Sequence, residues 1–533
     1  MLASLKRCVS AACLTLLVPL TAAAVAGKDA ASPAAAPQAT TRSAHAIDWQ
    51  NGAVDTVFAA AKASNKPVFL YWGARWCPPC NQVKATIFNR QDFIEKSRFF
   101  LPVYIDGDSP GAQKLGARFK VRGYPTMILF KPSGEEITRL PGEVDAERYM
   151  QVLNIGINAS RPIKELLAAA LGNAPQGGAA LSMDDWRLLA FYSWDTDEQQ
   201  LLSAKDLTAT LKRLAAASQL NAADISARFA LRALAAEATA KLPDTSPDSA
   251  TIGPVLTLLG DPGLARENFD LIVNHSATVM TYLGPPKSDQ QKQLRSAWNA
   301  ALDRFLDDRS LSTADRLTAM AGKVALARLE NDHGAPPPAL LQQARGAVAR
   351  ADALTTDRYA RQSVISAAAD VLTEAALFDE SDSLLKAELK RSHSPYYFML
   401  GLAANAKKRG DKAAAIDWSA KAYAASVGPA TRLQWGAAYI KTLTELAPDD
   451  VPTIEAATKR LLGELKAAPD TFYERNLRSL ERVGKSLRDW NRDQAHAAVI
   501  RRLQAQKDGI CKKLPAADPS RSACDSVAFQ AAS

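Results

Sequence analysis

From about residue 160 to 505 the apolar positions fall at helical spacing. Leu207, Leu211 and Leu214 share one face, as do Leu317, Met320 and Val324, and Ser312 with Asp315 offers a cap where the second of these helices starts. Breaks are expected at Gly177-Gly178, Pro243 to Pro247, Gly284-Pro285-Pro286 and Gly334 to Pro338. No segment there alternates as a strand, so this span reads as all-α. Ahead of it the pattern changes: Pro67-Val-Phe-Leu-Tyr-Trp-Gly73 is a short continuous apolar run of the kind that forms a buried strand. The run Asn81–Phe88 is helical, with Val83 and Ile87 on one face. Phe99–Ile105 is a second strand and Gly111–Lys120 a helix. Met127–Phe130 and Glu136–Leu140 are strands flanking a Pro132-Ser133-Gly134 turn, and Asp145–Ile155 is a closing helix.

The first residues read as an address. Lys6 and Arg7 precede an apolar run, Val9–Ala26, that ends in Ala24-Val25-Ala26, the small-x-small pattern cleaved by signal peptidase. Residues 1–26 are therefore expected to be a signal peptide and 27–45 an Ala/Pro-rich linker, which places the protein in the periplasm. The alternative is an uncleaved inner-membrane anchor with the rest of the chain facing the periplasm.

Of 533 residues, 47% are hydrophobic and 7% aromatic, which excludes an intrinsically disordered chain. The formal charge of +9, or +7 without the leader, is spread over both signs. It forms no basic block with interleaved aromatics, so no nucleic-acid partner is expected. With 5 His and 6 Cys in the whole chain, a histidine-rich metal site is not expected either, and no cofactor is called for.

Export changes the meaning of the cysteines. Four remain after the leader: Cys77, Cys80, Cys511 and Cys524. The pattern Trp76-Cys77-Pro78-Pro79-Cys80 follows the first strand and opens a helix. Unpaired N–H groups and the helix dipole favour a thiolate at such an N-terminus, so the Cys77 thiol is expected to titrate below a free thiol. Cys80, one turn on, can close a disulfide with it. Pro79 removes a donor that could have faced the thiolate and no histidine intervenes, which favours a reducing couple. A zinc half-site completed by Cys511 and Cys524, or a purely structural Cys77–Cys80 bridge, are the competing readings. Cys511 and Cys524 lie in a polar tail, 506–533. They are expected to form a structural disulfide that contributes about 3 kcal/mol through loop entropy; a second redox pair is the alternative.

The strand, the dithiol and, ~45 residues on, Gly123-Tyr124-Pro125-Thr126 together resemble the thioredoxin family over roughly residues 46–157. The resemblance implies an α/β thioredoxin fold, a central mixed sheet flanked by helices. It also implies Cys77 as the attacking nucleophile, Cys80 as the resolving thiol and a redox-active Cys77–Cys80 disulfide. Pro125, in the cis form, would receive the substrate's extended chain together with Tyr124 and Thr126, and Trp76 would form part of the docking surface. One departure matters: the buried Asp that usually accepts the resolving thiol's proton is Tyr71 here, and Pro102 or Val103 stands where its partner lysine would be. A phenol titrates too high to serve as that base.

Within the helical span 160–505, Ala369 and Ala403, Leu384 and Trp418, Leu389 and Tyr423, and Pro395 and Pro429 are each 34 residues apart. That spacing, near 361–429, resembles the tetratricopeptide repeat, which implies a surface for a protein or peptide ligand. The expected function is an exported thiol–disulfide oxidoreductase acting on protein disulfides and re-reduced by a membrane thiol donor. The alternative is a non-catalytic helical-repeat adaptor or holdase. If the Pro-Pro dithiol is reducing, equilibration with glutathione buffers will place its potential nearer about −270 mV than the about −120 mV of a strong oxidant.

Overall fold

All six residues of β1 (Val68–Gly73) are buried. Phe69 and Tyr71 face one layer of the core, and Val68, Leu70 and Trp72 the other. A strand covered on both faces carries such a continuous apolar run, and its place is the middle of a sheet. β2 (Leu101–Asp106) pairs parallel with one edge of β1, and β3 (Thr126–Phe130) antiparallel with the other. β4 (Glu136–Leu140) closes the order β2-β1-β3-β4. The helices α1 (Val54–Ser64) and α4 (Ala112–Arg118) cover the Val68 face, while α2 (Pro78–Thr86), α3 (Gln91–Lys96) and α5 (Ala146–Asn158) cover the Phe69 face.

These elements come from a computed structural model that describes residues 46–50, 52–142, 144–173, 180–197, 200–220, 222–240, 249–284, 288–331, 334–465 and 469–530. The expected leader and linker, and the breaks at Gly177-Gly178, Pro243–Pro247 and Pro285-Pro286, lie outside the described residues.

Several boundaries differ from the sequence expectation. The second strand begins at Leu101 rather than Phe99, while the dithiol helix opens at Pro78 with Cys77 at its N-terminus, as the pattern implies, because both prolines fit the first turn, where their missing N–H groups cost nothing. α1 and α3 were not anticipated. The residue paired with Tyr71 is Tyr104, their rings stacked 5.1 Å apart, so neither Pro102 nor Val103 faces the Tyr71 phenol.

After α5 the fold is a long all-helical region, and 24 α-helices are present among the described residues. Leu211 and Leu214 are buried in the helix Ala204–Ser218, and Leu317, Met320 and Val324 in Thr313–Glu330, which Ser312 and Asp315 start with a reciprocal capping box. The helices beginning at Phe378 and Lys412, and those beginning at Pro395 and Pro429, start 34 residues apart. Where a polar tail was expected, Cys511 ends the helix Ala497–Cys511 and Cys524 lies in Pro519–Ser526. The two are disulfide-bonded and buried, with Val527 and Phe529 packed in the same core. Those apolar residues give the segment its own face to bury.

From residue 45 on, the chain is one compact unit. The core under Phe69 and Tyr71 continues through Leu166, Trp186 and Tyr192 to Phe229, so sheet and helices share one interior. Arg139 of β4 anchors this junction. Fully buried, it pairs with Glu136 (2.9 Å) and donates to the carbonyls of Phe119, Lys120 and Thr196. The Ser193 amide returns a bond to the Arg139 carbonyl, and Val121 bridges to Asp197. Residues 193–197 are thereby tied to β4 and lie beside the Gly123–Thr126 loop. Since removing one partner of a buried, hydrogen-bonded ion pair leaves the other uncompensated, Arg139→Met should destabilise the protein by about 3–5 kcal/mol, read from the urea midpoint.

Candidate active site

β1 ends at Gly73, and the chain turns through Ala74–Trp76 into α2. Cys77 is the N-cap of α2, with extended φ and ψ. The amide of Cys80 donates to Cys77 Sγ at 3.2 Å, while Pro78 and Pro79 supply no N–H. The two cysteines form a disulfide with Cα atoms 5.2 Å apart. Asn81, fully buried, donates from Nδ2 to the carbonyls of Arg75 and Cys77 and so fixes the turn before the dithiol. It was not singled out in the sequence, where an amide after a Cys-x-x-Cys pattern carries no special signal.

The register Trp72↔Thr126 brings the loop ahead of β3 to the dithiol end of the sheet. There the Tyr124–Pro125 peptide bond is cis, and Thr126 Oγ1 donates to the Gly123 carbonyl at 2.8 Å. Gly107 leaves room beside this loop: a Cβ on it would clash with the Tyr124 ring and hydroxyl. Beneath the dithiol, Tyr71 Oη donates to the Cys80 carbonyl at 3.4 Å. Burial pushes the Tyr71 phenol well above its ordinary value, and Tyr104 adds to the shift. The group stays protonated, as its replacement of a carboxylate predicts.

What covers this end of the sheet is the chain's own helical region. Cys77 is 2% exposed, Cys80 0% and Trp76 9%. Trp76 Nε1 donates to Thr431 Oγ1 (2.9 Å), and its ring stacks on Tyr397 at 6.0 Å and meets Trp435 edge-on at 4.8 Å. Gln362 Nε2 donates to the Trp76 carbonyl and His393 Nε2 to that of Arg75. Burial holds the His393 imidazole below its ordinary value, so it donates as a neutral ring. The Arg475 guanidinium lies 4.3 Å from the Tyr124 ring centre and 5.5 Å from that of Trp76. Asp108 accepts from the amide (2.8 Å) and hydroxyl (2.5 Å) of Thr431, in the first turn of the helix Pro429–Leu446. Burial pushes the Asp108 carboxyl up, and the Thr431 bonds oppose that shift. Farther along α2, Gln82 donates to the buried Asp315 at 2.6 Å.

The structure thus gathers Trp76, Cys77, Cys80, Tyr124, Pro125 and Thr126 at one end of the sheet. Cys511 and Cys524 form their own buried disulfide between two C-terminal helices. Asp108, Gln362, Thr431, Trp435 and Arg475 had no sequence signal, since their role arises only from contacts across some 290 to 360 residues. No group of three or more His, Cys, Asp or Glu among the described residues is placed to hold a metal ion.

Residues 54–156 match the family of thioredoxin-like domains. They form a thioredoxin-like domain. Over 125 residues the chain is 32% identical to the thiol:disulfide interchange protein DsbD 2 of Pseudomonas aeruginosa, covering 23% of this chain and 21% of that protein. Over 104 residues it is 33% identical to the thiol:disulfide interchange protein DsbD of Pseudomonas fluorescens, covering 19% and 17%. The chain thus spans about a fifth of the length of the curated relatives it matches. A solved structure, DsbH oxidoreductase, is similar at 20% identity over 23% of this chain and 94% of that one, with a TM-score of 0.20.

The thioredoxin-like domain therefore carries a close cysteine pair of an oxidoreductase kind, and the helical region encloses it. Charge-assisted bonds such as those of Asp108 contribute about 1.5–3 kcal/mol each. Loosening them should raise the open population roughly tenfold or more. In the reduced protein, Asp108→Ala with Trp435→Ala is expected to speed alkylation of Cys77 by iodoacetamide by that factor, measured by mass spectrometry.

Proposed function

We propose that this chain is an exported thiol–disulfide oxidoreductase of the periplasm, acting on protein disulfides through a dithiol that its own helical region encloses. The observation that carries the reading is Cys77 at the N-cap of α2, with Cys80 one turn behind it and the cis Tyr124–Pro125 bond at the same end of the sheet. In this reading Cys77, as thiolate, attacks one sulfur of a substrate disulfide. The substrate's S–S bond breaks, a mixed disulfide with Cys77 forms, and the leaving sulfur takes up a proton. The Cys80 thiol loses its proton and attacks Cys77 Sγ, which releases the second substrate sulfur as a thiolate and leaves the Cys77–Cys80 disulfide. Two electrons have then passed from the dithiol to the substrate, and a membrane thiol donor restores it. With Tyr71 protonated, the proton of Cys80 passes to solvent admitted when the site opens. Pro125, Tyr124, Thr126 and Trp76 are the surface on which the substrate chain docks, so the helices that now hold Trp76 must yield during turnover.

The helices repeating at 34 residues are read as tetratricopeptide-like, a scaffold able to present a surface to a protein or peptide. The enclosed Trp76 favours a second reading, a helical-repeat adaptor whose thioredoxin-like domain serves only to dock its own helices. Trapping in the native compartment separates the two. Cys80→Ser should accumulate mixed disulfides with exported proteins, visible as reductant-sensitive high-mass bands, and Cys77→Ser should not. Identical behaviour of the two variants sinks the enzymatic reading.

A further inference from the structure

From residue 295 to 350 the arginines divide into two groups. Arg295, Arg304, Arg328 and Arg345 each donate to an acceptor: the carbonyls of Met280, Leu259 and Glu374, and the Glu380 carboxylate. Among the described residues, Arg309, Arg316 and Arg350 have neither an ion pair nor a side-chain hydrogen bond. All three line one cavity of about 460 Å³, set among the helices Asp289–Asp307, Thr313–Glu330 and Pro338–Leu354 and the turn that joins the first two.

A guanidinium presents five N–H donors in a planar fork and does not lose its charge. Here three of them face one carboxylate, that of Asp307, among the described residues of the lining, so the balance favours an anion. Arg309 and Arg350 are exposed and Arg316 half-buried, which puts the charge at the mouth. The floor is apolar: Leu317, Met320 and Ala351 are buried there, and Leu306 and Ala347 are partly buried. Leu354, at the end of its helix, is 80% exposed. Thr313 and Gln343 are the uncharged polar residues of the lining. An extended peptide brings a donor and an acceptor with every residue, more than those two side chains satisfy. No aromatic ring among the described residues lines the cavity, so a nucleobase has no face to stack on. The matching ligand has one anionic head for the arginines and one aliphatic tail for the Leu, Met and Ala floor.

We propose that this cavity binds a free single-chain aliphatic anion of the fatty-acid class. Its carboxylate accepts from Arg309, Arg316 and Arg350, and its chain lies on Leu317, Met320 and Ala347. The cavity has the size of a small-molecule pocket and is recessed among three helices, which suits one chain rather than the plane of a bilayer. It shares no residue with the dithiol end of the sheet, so the proposal stands apart from the oxidoreductase reading.

The test is isothermal titration calorimetry of the full chain with sodium dodecanoate, held below the concentration at which it forms micelles. Saturable one-to-one binding is expected, weakening about fourfold for each methylene removed from the probe. Arg316→Gln should weaken it about tenfold, and Ala347→Trp, which fills the cavity, tenfold or more. Arg492→Gln, at an exposed site on another helix end, should leave it unchanged. If Ala347→Trp does not fold, Arg350→Glu at the exposed mouth gives the same readout without a packing change. Absence of saturable binding, unchanged affinity in Ala347→Trp or Arg350→Glu, or equal binding of dodecyltrimethylammonium overturns the proposal. So does tighter binding of an end-capped Glu-Leu-Leu peptide, or sedimentation with phosphatidylglycerol vesicles without binding of monomeric dodecanoate.

Discussion

Trp76 is the residue on which the arrangement of the whole molecule turns. An indole beside the cysteine pair is a large apolar surface with one polar edge, and here both are satisfied within the chain: the faces by Tyr397 and Trp435, the N–H by Thr431. Because Trp76 immediately precedes Cys77, gripping the indole also buries the cysteine. The bonds of Gln362 and His393 to the backbone of Arg75 and Trp76 hold the same turn from the other side. A compact domain has thus become the inner part of a larger body, and the surface it would offer a partner is an interior.

This enclosure differs from ordinary core packing in its chemistry. The contacts around Phe69 and Tyr71 are mainly apolar and ring-to-ring, with single hydroxyls such as that of Tyr71 bonded inside the core. Around Trp76 the contacts are mixed: a carboxylate on a helix N-terminus, an arginine over two rings, an indole N–H on a hydroxyl. Such groups are well solvated when apart, so a mixed interface separates at lower cost than an apolar one of equal size. The division places the stable seam under the sheet and the separable one over the dithiol. Arg139, spending its donors on the carbonyls of three residues, keeps the 193–197 turn on the stable side.

The local elements were legible wherever local forces decide them. β1 announced itself by an unbroken apolar run, the capping box of Ser312 and Asp315 by its spacing, and the repeat by the 34 residues between Pro395 and Pro429. Errors came where a neighbour decided instead. The partner of Tyr71 was misplaced because strand register is fixed by pairing rather than by the strand itself. The C-terminal segment read as a polar tail because Cys511, Cys524, Val527 and Phe529 are too few and too spaced to show a face until the helix Glu474–Trp490 supplies the other half.

Local features were written into the chain: a Cys-Pro-Pro-Cys pair at a helix start, a proline-bearing loop at the matching distance, a tyrosine where the resemblance calls for an acid, and a long helical remainder. These follow from residue identity and short spacing, which act over a few bonds. Long-range packing alone brings the helical remainder back over the dithiol, and Asp108 to Thr431, Gln362 to Trp76 and Arg475 to Tyr124. Those meetings join residues more than two hundred positions apart. They depend on the summed orientation of many helices, and no local pattern records that.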